Sequence, residues 1–221
     1  MADINAIIQA IAIFALPAIF AITLHEAAHG YVARYFGDPT AWLAGRITLN
    51  PLRHIDLIGT VIIPVVLLLS NSSFLFGYAK PVPVDFNRLR HPKRDMLWVA
   101  LAGPLANLFM ALCWAGMLKL AWEMPVNAYT VPLTEMSKAG IQFNLILLVF
   151  NLLPLPPLDG GRVVVSLLPR QLSWRFAQLE RWSLLILLLV IYLANTGILG
   201  EIIGPPIYYL ARIIESIFGL Y

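Results

Sequence analysis

The chain has 221 residues, 60% of them hydrophobic and 12% charged, with a mean hydropathy of +0.79. Soluble domains typically carry roughly 25% charged residues, so this composition excludes an ordinary water-soluble protein and indicates an integral membrane protein. The net charge of +3 comes from basic residues gathered at segment ends, where they act as orientation signals, which argues against nucleic acid as a partner.

Residues 4–36 read as one long helix, kinked at Pro17 and stopped at Gly37-Asp38-Pro39. Residues 1–5 carry no positive charge ahead of the apolar run, so no cleaved signal peptide is expected. No Lys or Arg precedes Arg34, and the positive-inside rule then places the N-terminus outside and the end of this helix in the cytoplasm. Within it lies His25-Glu26-Ala27-Ala28-His29, an HExxH motif. Four-residue spacing puts both imidazoles on one helix face, with Glu26 turned about 100° round the axis. Two such imidazoles can hold Zn²⁺ with a coordination position left for water, and the neighbouring carboxylate can take the water's proton. On a soluble helix HExxH is often coincidence. In a spanning helix an ionisable residue costs roughly 2.5–3.5 kcal/mol on insertion scales, and such residues mark function.

From 41 to 50 the period changes to two, with Leu43, Ile47 and Leu49 alternating with polar residues, which predicts a short strand; residues 78–84 are its expected partner. Pro81 and Pro83 cannot donate to a ladder, so this small cytoplasmic sheet is expected to keep an open edge able to accept another strand. Residues 57–76 begin with an apolar run too short for the roughly 20 residues of a spanning helix, and both flanks are basic. A re-entrant segment is expected there. Asp95 is expected to cap a spanning helix over 96–122. Gly103 and Ala106 in it mark a close helix contact, with the HExxH helix as a candidate neighbour. Asn107 lies at the depth of His25, each roughly 16 Å from the cytoplasmic helix ends, and reads equally as interhelical glue or as a substrate contact. Cys113, the single cysteine, reads as packing.

Residues 123–138 form a nearly neutral external loop, after which 139–153 descends and breaks in Asn151-Leu152-Leu153-Pro154-Leu155-Pro156-Pro157-Leu158-Asp159-Gly160-Gly161-Arg162. Irregular backbone at membrane depth is tolerated only where protein buries it or a wet cavity lies alongside, so this break itself indicates a site. Arginines 162, 170, 175 and 181 keep the next loop cytoplasmic; 183–196 goes out again, and 198–221 returns or lies in the interface. The expectation is therefore an all-α polytopic protein of five to six membrane segments, including the re-entrant one, with the small β-sheet on the cytoplasmic side. A single membrane-embedded domain covers 1–221, in the cell membrane, with its site in the cytoplasmic half of the bilayer.

A catalytic zinc normally takes three protein ligands. His54 and His91 sit in basic flanks, and Glu123, Glu135 and Glu201 fall on the outer side. Asp159 is the acid that the topology brings to the HExxH helix, so His25, His29 and Asp159 are the expected ligands of one Zn²⁺, with Glu26 as general base. Glu180 is the competing third ligand. A non-hydrolytic membrane metal binder or transporter would use the same polar groups. His54 reads as an interfacial residue or as one lining the entrance, and Arg162 as a topology anchor.

The combination of His25-Glu26-x-x-His29, Gly103-Pro104-x-x-Asn107, and Asn151 eight residues before Leu158-Asp159-Gly160 resembles the site-2 protease family of intramembrane zinc metalloproteases. The likeness covers roughly residues 20–165. It implies the same zinc ligands and base, Asn107 and Asn151 as groups that position substrate, and a transmembrane protein as the substrate cleaved. It leaves no room for a PDZ or nucleotide-sensing module, and leaves the oligomeric state open.

Overall fold

A long apolar run rich in alanine produces α1 (Ile4–Tyr35), which continues through the buried Pro17. Gly37, at φ +110°, takes the left-handed conformation that ends the helix, and the Asp38 amide closes back on Ala33 O at 2.9 Å. The computed structural model describes residues 4–69, 77 and 79–220. Its further helices are α2 (Thr40–Leu43), α3 (Ile63–Leu69), α4 (Pro92–Glu123), α5 (Thr130–Asn151), α6 (Asp159–Leu167), α7 (Arg170–Ala177), α8 (Ser183–Asn195) and α9 (Ile198–Phe218). α4 is the hub, packed against α1, α5 and α6, while α5 also carries α9.

The buried faces are built largely of small residues, among them Ala21, Ala27, Ala33, Ala100, Ala102, Ala111 and Ala115, whereas Phe14, Phe20, Leu105 and Phe109 point outward. Such an arrangement suits helices that meet closely by packing while their large apolar side chains face lipid. Three helical stretches among the described residues are long and apolar enough to cross a membrane: Ile13–Tyr35, Pro92–Glu123 and the continuous Arg170–Asn195. Three candidate spans thus stand where five to six membrane segments were expected. α5 begins at Thr130 rather than 139 and carries Glu135, Ser137, Lys138, Gln142 and Asn144, and α9 carries Glu201, Arg212 and Glu215. The expected re-entrant stretch is a π turn (Leu57–Ile62) leading into α3, with residues 70–76 outside the described residues.

The expected β-sheet over 41–50 and 78–84 is also corrected: the described residues contain no strand, and Tyr78 lies outside them. Asp38 Oδ1 instead accepts from Thr40 N, the first residue of α2, at 2.9 Å and also from the Thr40 hydroxyl. Leu43 and Leu49 are exposed, so the alternation there does not mark a core face. Residues 79–84 run extended but spend their polar groups elsewhere. Lys80 N donates to His54 O at 2.9 Å, Arg46 Nη2 donates to Lys80 O at 2.7 Å, and the prolines have no N–H to give. The open sheet edge expected to receive a substrate strand falls with the sheet. Asp95 lies inside the first turn of α4, where Pro92 is the first helical residue; its Oδ2 reaches back to His91 N at 2.7 Å.

Candidate metal centre

His25 and His29 stand one turn apart on α1, against α4. His25 Nδ1 lies 2.6 Å from Asn107 Oδ1, and His29 Nδ1 lies 2.7 Å from the backbone oxygen of Val99. Both partners are oxygens without a proton, so each Nδ1 must donate, and in the neutral ring each Nε2 is left with a lone pair. The two Nε2 atoms face each other at 3.1 Å. The third corner is Asp159, the first residue of α6, whose Oδ2 is 3.2 Å from His25 Nε2 and 3.3 Å from His29 Nε2. All three residues are buried, and among the described residues Asp159 Oδ2 has no hydrogen-bond donor of its own.

Three lone pairs packed this closely repel unless a positive charge lies among them. A tetrahedral zinc with ligand bonds of roughly 2.0–2.1 Å has ligand-to-ligand edges of about 3.3–3.4 Å, and the observed triangle is within a few tenths of an ångström of that. His25, His29 and Asp159 therefore fit a metal ion, by donor type and by spacing.

The floor of this triangle is Gly103 on α4. A Cβ built there would lie 2.6 Å from His25 Nε2 and closer still to His29 Nε2, so only glycine leaves the space. Asp159 is delivered by a tight turn in which Pro156–Pro157 is cis. Gly160 and Gly161 touch the backbone of residues 152–156 so closely that a Cβ on either would collide with it.

Glu26 is half-buried, and its Oε2 accepts the backbone N–H of Val82 at 2.8 Å. Between Pro81 and Pro83, that N–H is the sole main-chain donor of the three residues. The extended segment is thus pinned over α1 by the motif glutamate, with Val82 resting on Gly30. Pro81 and Pro83, which argued for an open sheet edge, here direct one donor onto Glu26.

Of the other residues singled out by sequence, Asn107 lies against His25, fully buried, with its remaining polar capacity spent on Ala21 O and Asn144 Oδ1. Asn151 ends α5, half-buried, with Nδ2 turned back to Leu147 O at 3.0 Å. Glu180 is exposed and stands apart from the imidazole pair, near Arg162, whose guanidinium covers the Phe86 ring at 5.3 Å. His54 is buried, bonded through Nε2 to Thr48 O at 3.0 Å. Sequence reasoning passed over Asn144 and Val82. Asn144 sits in a stretch read as plain apolar helix, and the role of Val82 is carried by its backbone.

The comparisons with known proteins agree with this chemistry. The model of peptidase family M50 matches residues 116–193. A Bacillus subtilis (strain 168) protein named as a candidate zinc metalloprotease, YwhC, is 39% identical over 175 residues, 78% of this chain and 76% of the relative. Rip2 of Mycobacterium tuberculosis (strain H37Rv), named in the same way, is 30% identical over 179 residues. Rip2 of Mycolicibacterium smegmatis is 28% identical over 177 residues. The matches span 64% of the length of each of these two Rip2 proteins. No solved structure matches the chain.

Proposed function

Because the chain belongs to the site-2 protease family, peptidase family M50, and is therefore a zinc metalloprotease, we propose that it hydrolyses a peptide bond in or beside the transmembrane segment of a membrane protein. His25, His29 and Asp159 hold the metal in this proposal, and one membrane-embedded domain, residues 1–221, carries the whole site. The observation that supports it most directly is the convergence of two imidazole nitrogens and one carboxylate oxygen within 3.3 Å, with both Nδ1 atoms tied off. Zinc, when bound, polarises the scissile carbonyl and brings the acidity of a coordinated water towards a pKa of about 7.

The remaining work falls to the chain's own groups. Glu26 takes a proton from the attacking water and passes it to the departing amine; the Val82 N–H holds the carboxylate in a fixed orientation while it does so. A substrate helix bonds its own carbonyls, so it must unwind locally before one can be attacked. Asn151, the last residue of α5, is placed by this proposal against the carbonyls so released. Burial of His25, His29 and Asp159 limits water and strengthens every polar contact there. The charge pattern supports an N-terminus outside and a site in the cytoplasmic half of the cell membrane.

The test is incubation of the purified, zinc-loaded protein in detergent with single-span substrates, mass spectrometry locating the cut. Glu26→Gln is expected to keep its zinc and lose at least about 100-fold in cleavage rate. Cuts confined to soluble tails would contradict the intramembrane assignment. Metal flux into vesicles that persists unchanged in Glu26→Gln, without cleavage by the unsubstituted protein, would favour transport.

A further inference from the structure

Asn144, on α5, is fully buried in the helix bundle, where an amide that lacks partners is costly. Its Nδ2 donates to Gly140 O at 2.8 Å, one turn earlier in the same helix. That bond turns its Oδ1 towards α4, where it accepts from Asn107 Nδ2 at 3.0 Å. The second N–H of Asn107 goes to Ala21 O on α1, at 3.1 Å, and its Oδ1 faces His25 Nδ1 at 2.6 Å. A directed chain therefore runs from a main-chain carbonyl of α5, through two side-chain amides, to the imidazole.

Each amide in the chain has one favourable orientation. If Asn107 rotated by 180°, its oxygen would face two other oxygens, Ala21 O and Asn144 Oδ1, and its NH₂ would face His25 Nδ1. The imidazole would then carry its proton on Nε2, the atom turned towards His29 and Asp159, and could no longer donate a lone pair there. His29 has no such weakness, because its Nδ1 is held by Val99 O, a backbone oxygen that cannot flip. Only His25 depends on a rotatable amide, and Asn144 supplies one of the two bonds that stop the rotation.

We propose that Asn144 is a positioning residue for zinc: acting through Asn107, it fixes the tautomer and ring orientation of His25. This role rests on zinc being held by His25, His29 and Asp159. It assigns Asn107 to the support of the metal ligand instead of contact with substrate, since both of its amide protons and its oxygen are already engaged. It gives α5 a function beyond packing, because a helix that contributes no ligand determines which nitrogen of His25 is free to bind.

The experiment measures zinc affinity by chelator competition in the purified, detergent-solubilised full chain. It compares Asn144→Leu, Asn107→Leu, the double variant and Asn144→Asp. Outer-shell partners of metal ligands typically contribute roughly 10- to 100-fold in affinity, and Asn107→Leu is expected in that range. Asn144→Leu is expected to weaken binding by about 5- to 10-fold, and the double variant to bind no worse than Asn107→Leu alone. Asn144→Asp keeps the acceptor for Asn107 and, when protonated, the donor to Gly140 O; it is expected within about twofold of the unsubstituted protein. Unchanged affinity in Asn144→Leu, or losses that simply add in the double variant, would reduce Asn144 to packing. A measurement without substitution guards against misfolding: ¹⁵N spectra of the metal-free chain should show His25 protonated at Nδ1, and an Nε2 proton there would overturn the proposal. Failure of the zinc assignment is recognised separately, as zinc binding that survives both His25→Ala and Asp159→Ala.

Discussion

Replacing Gly103 with alanine is expected to weaken zinc binding by about 5- to 150-fold while leaving the helices formed. The added methyl would sit 2.6 Å from His25 Nε2, against the 3.4 Å at which ordinary contact begins, so the imidazole would have to retreat by about 0.8 Å. The ligand triangle has no such slack, since its 3.1–3.3 Å edges already lie near the spacing that bonds of roughly 2.0–2.1 Å require. Relief by separating α1 from α4 would instead strain the His25–Asn107 and His29–Val99 bonds. Overpacking of this kind costs about 1–3 kcal/mol, which at 1.4 kcal/mol per decade gives the stated range in affinity. In isolation alanine favours a helix over glycine by about 1 kcal/mol, so α4 itself should not suffer. Chelator competition measures the affinity, and circular dichroism checks that helix content is unchanged. Zinc binding within twofold of the unsubstituted protein would refute the idea that the glycine forms the floor of the site.

Asp159→Ala is expected to abolish stoichiometric zinc, measured by atomic absorption after gel filtration, while Glu180→Ala retains it; the opposite pattern would make Glu180 the third ligand. Val82→Pro removes the one main-chain donor between the prolines, and is expected to lower kcat for a spanning reporter by about tenfold with zinc content and KM unchanged. An unaltered kcat in a folded Val82→Pro protein would show that Glu26 needs no such support.

The group that could hold a metal was legible because its parts are local or chemically unusual. HExxH defines its own geometry, since helical spacing alone sets two imidazoles on one face of α1. Asp159 stood out as an acid in a proline-broken segment, and the structure brings its oxygen to 3.2 Å from His25 Nε2. The family likeness drew on the same residues. The small sheet misled for an equally physical reason: a period of two in 41–50 is what a half-buried strand produces, but a connection whose Leu43 and Leu49 are exposed can show it by chance. Pairing also needs N–H groups that Pro81 and Pro83 lack. Segment counting erred because every apolar run was treated as a span, although α5 starts at Thr130 with an exposed Glu135–Lys138 pair and turns its buried Asn144 towards α4.

By itself the order of residues determined the solvent, the long first helix, the paired imidazoles and the acid that the structure brings beside them, because composition, helical period and a broken segment act over short distances along the chain. Only the tertiary structure decided that Gly103 forms the floor of the site, that a backbone N–H from residue 82 steadies Glu26, and that Asn144 reaches His25 through Asn107. Contacts between residues 37 to 86 positions apart are set by how α1, α4 and α5 pack, and no periodicity within one helix encodes which amide of another will face it.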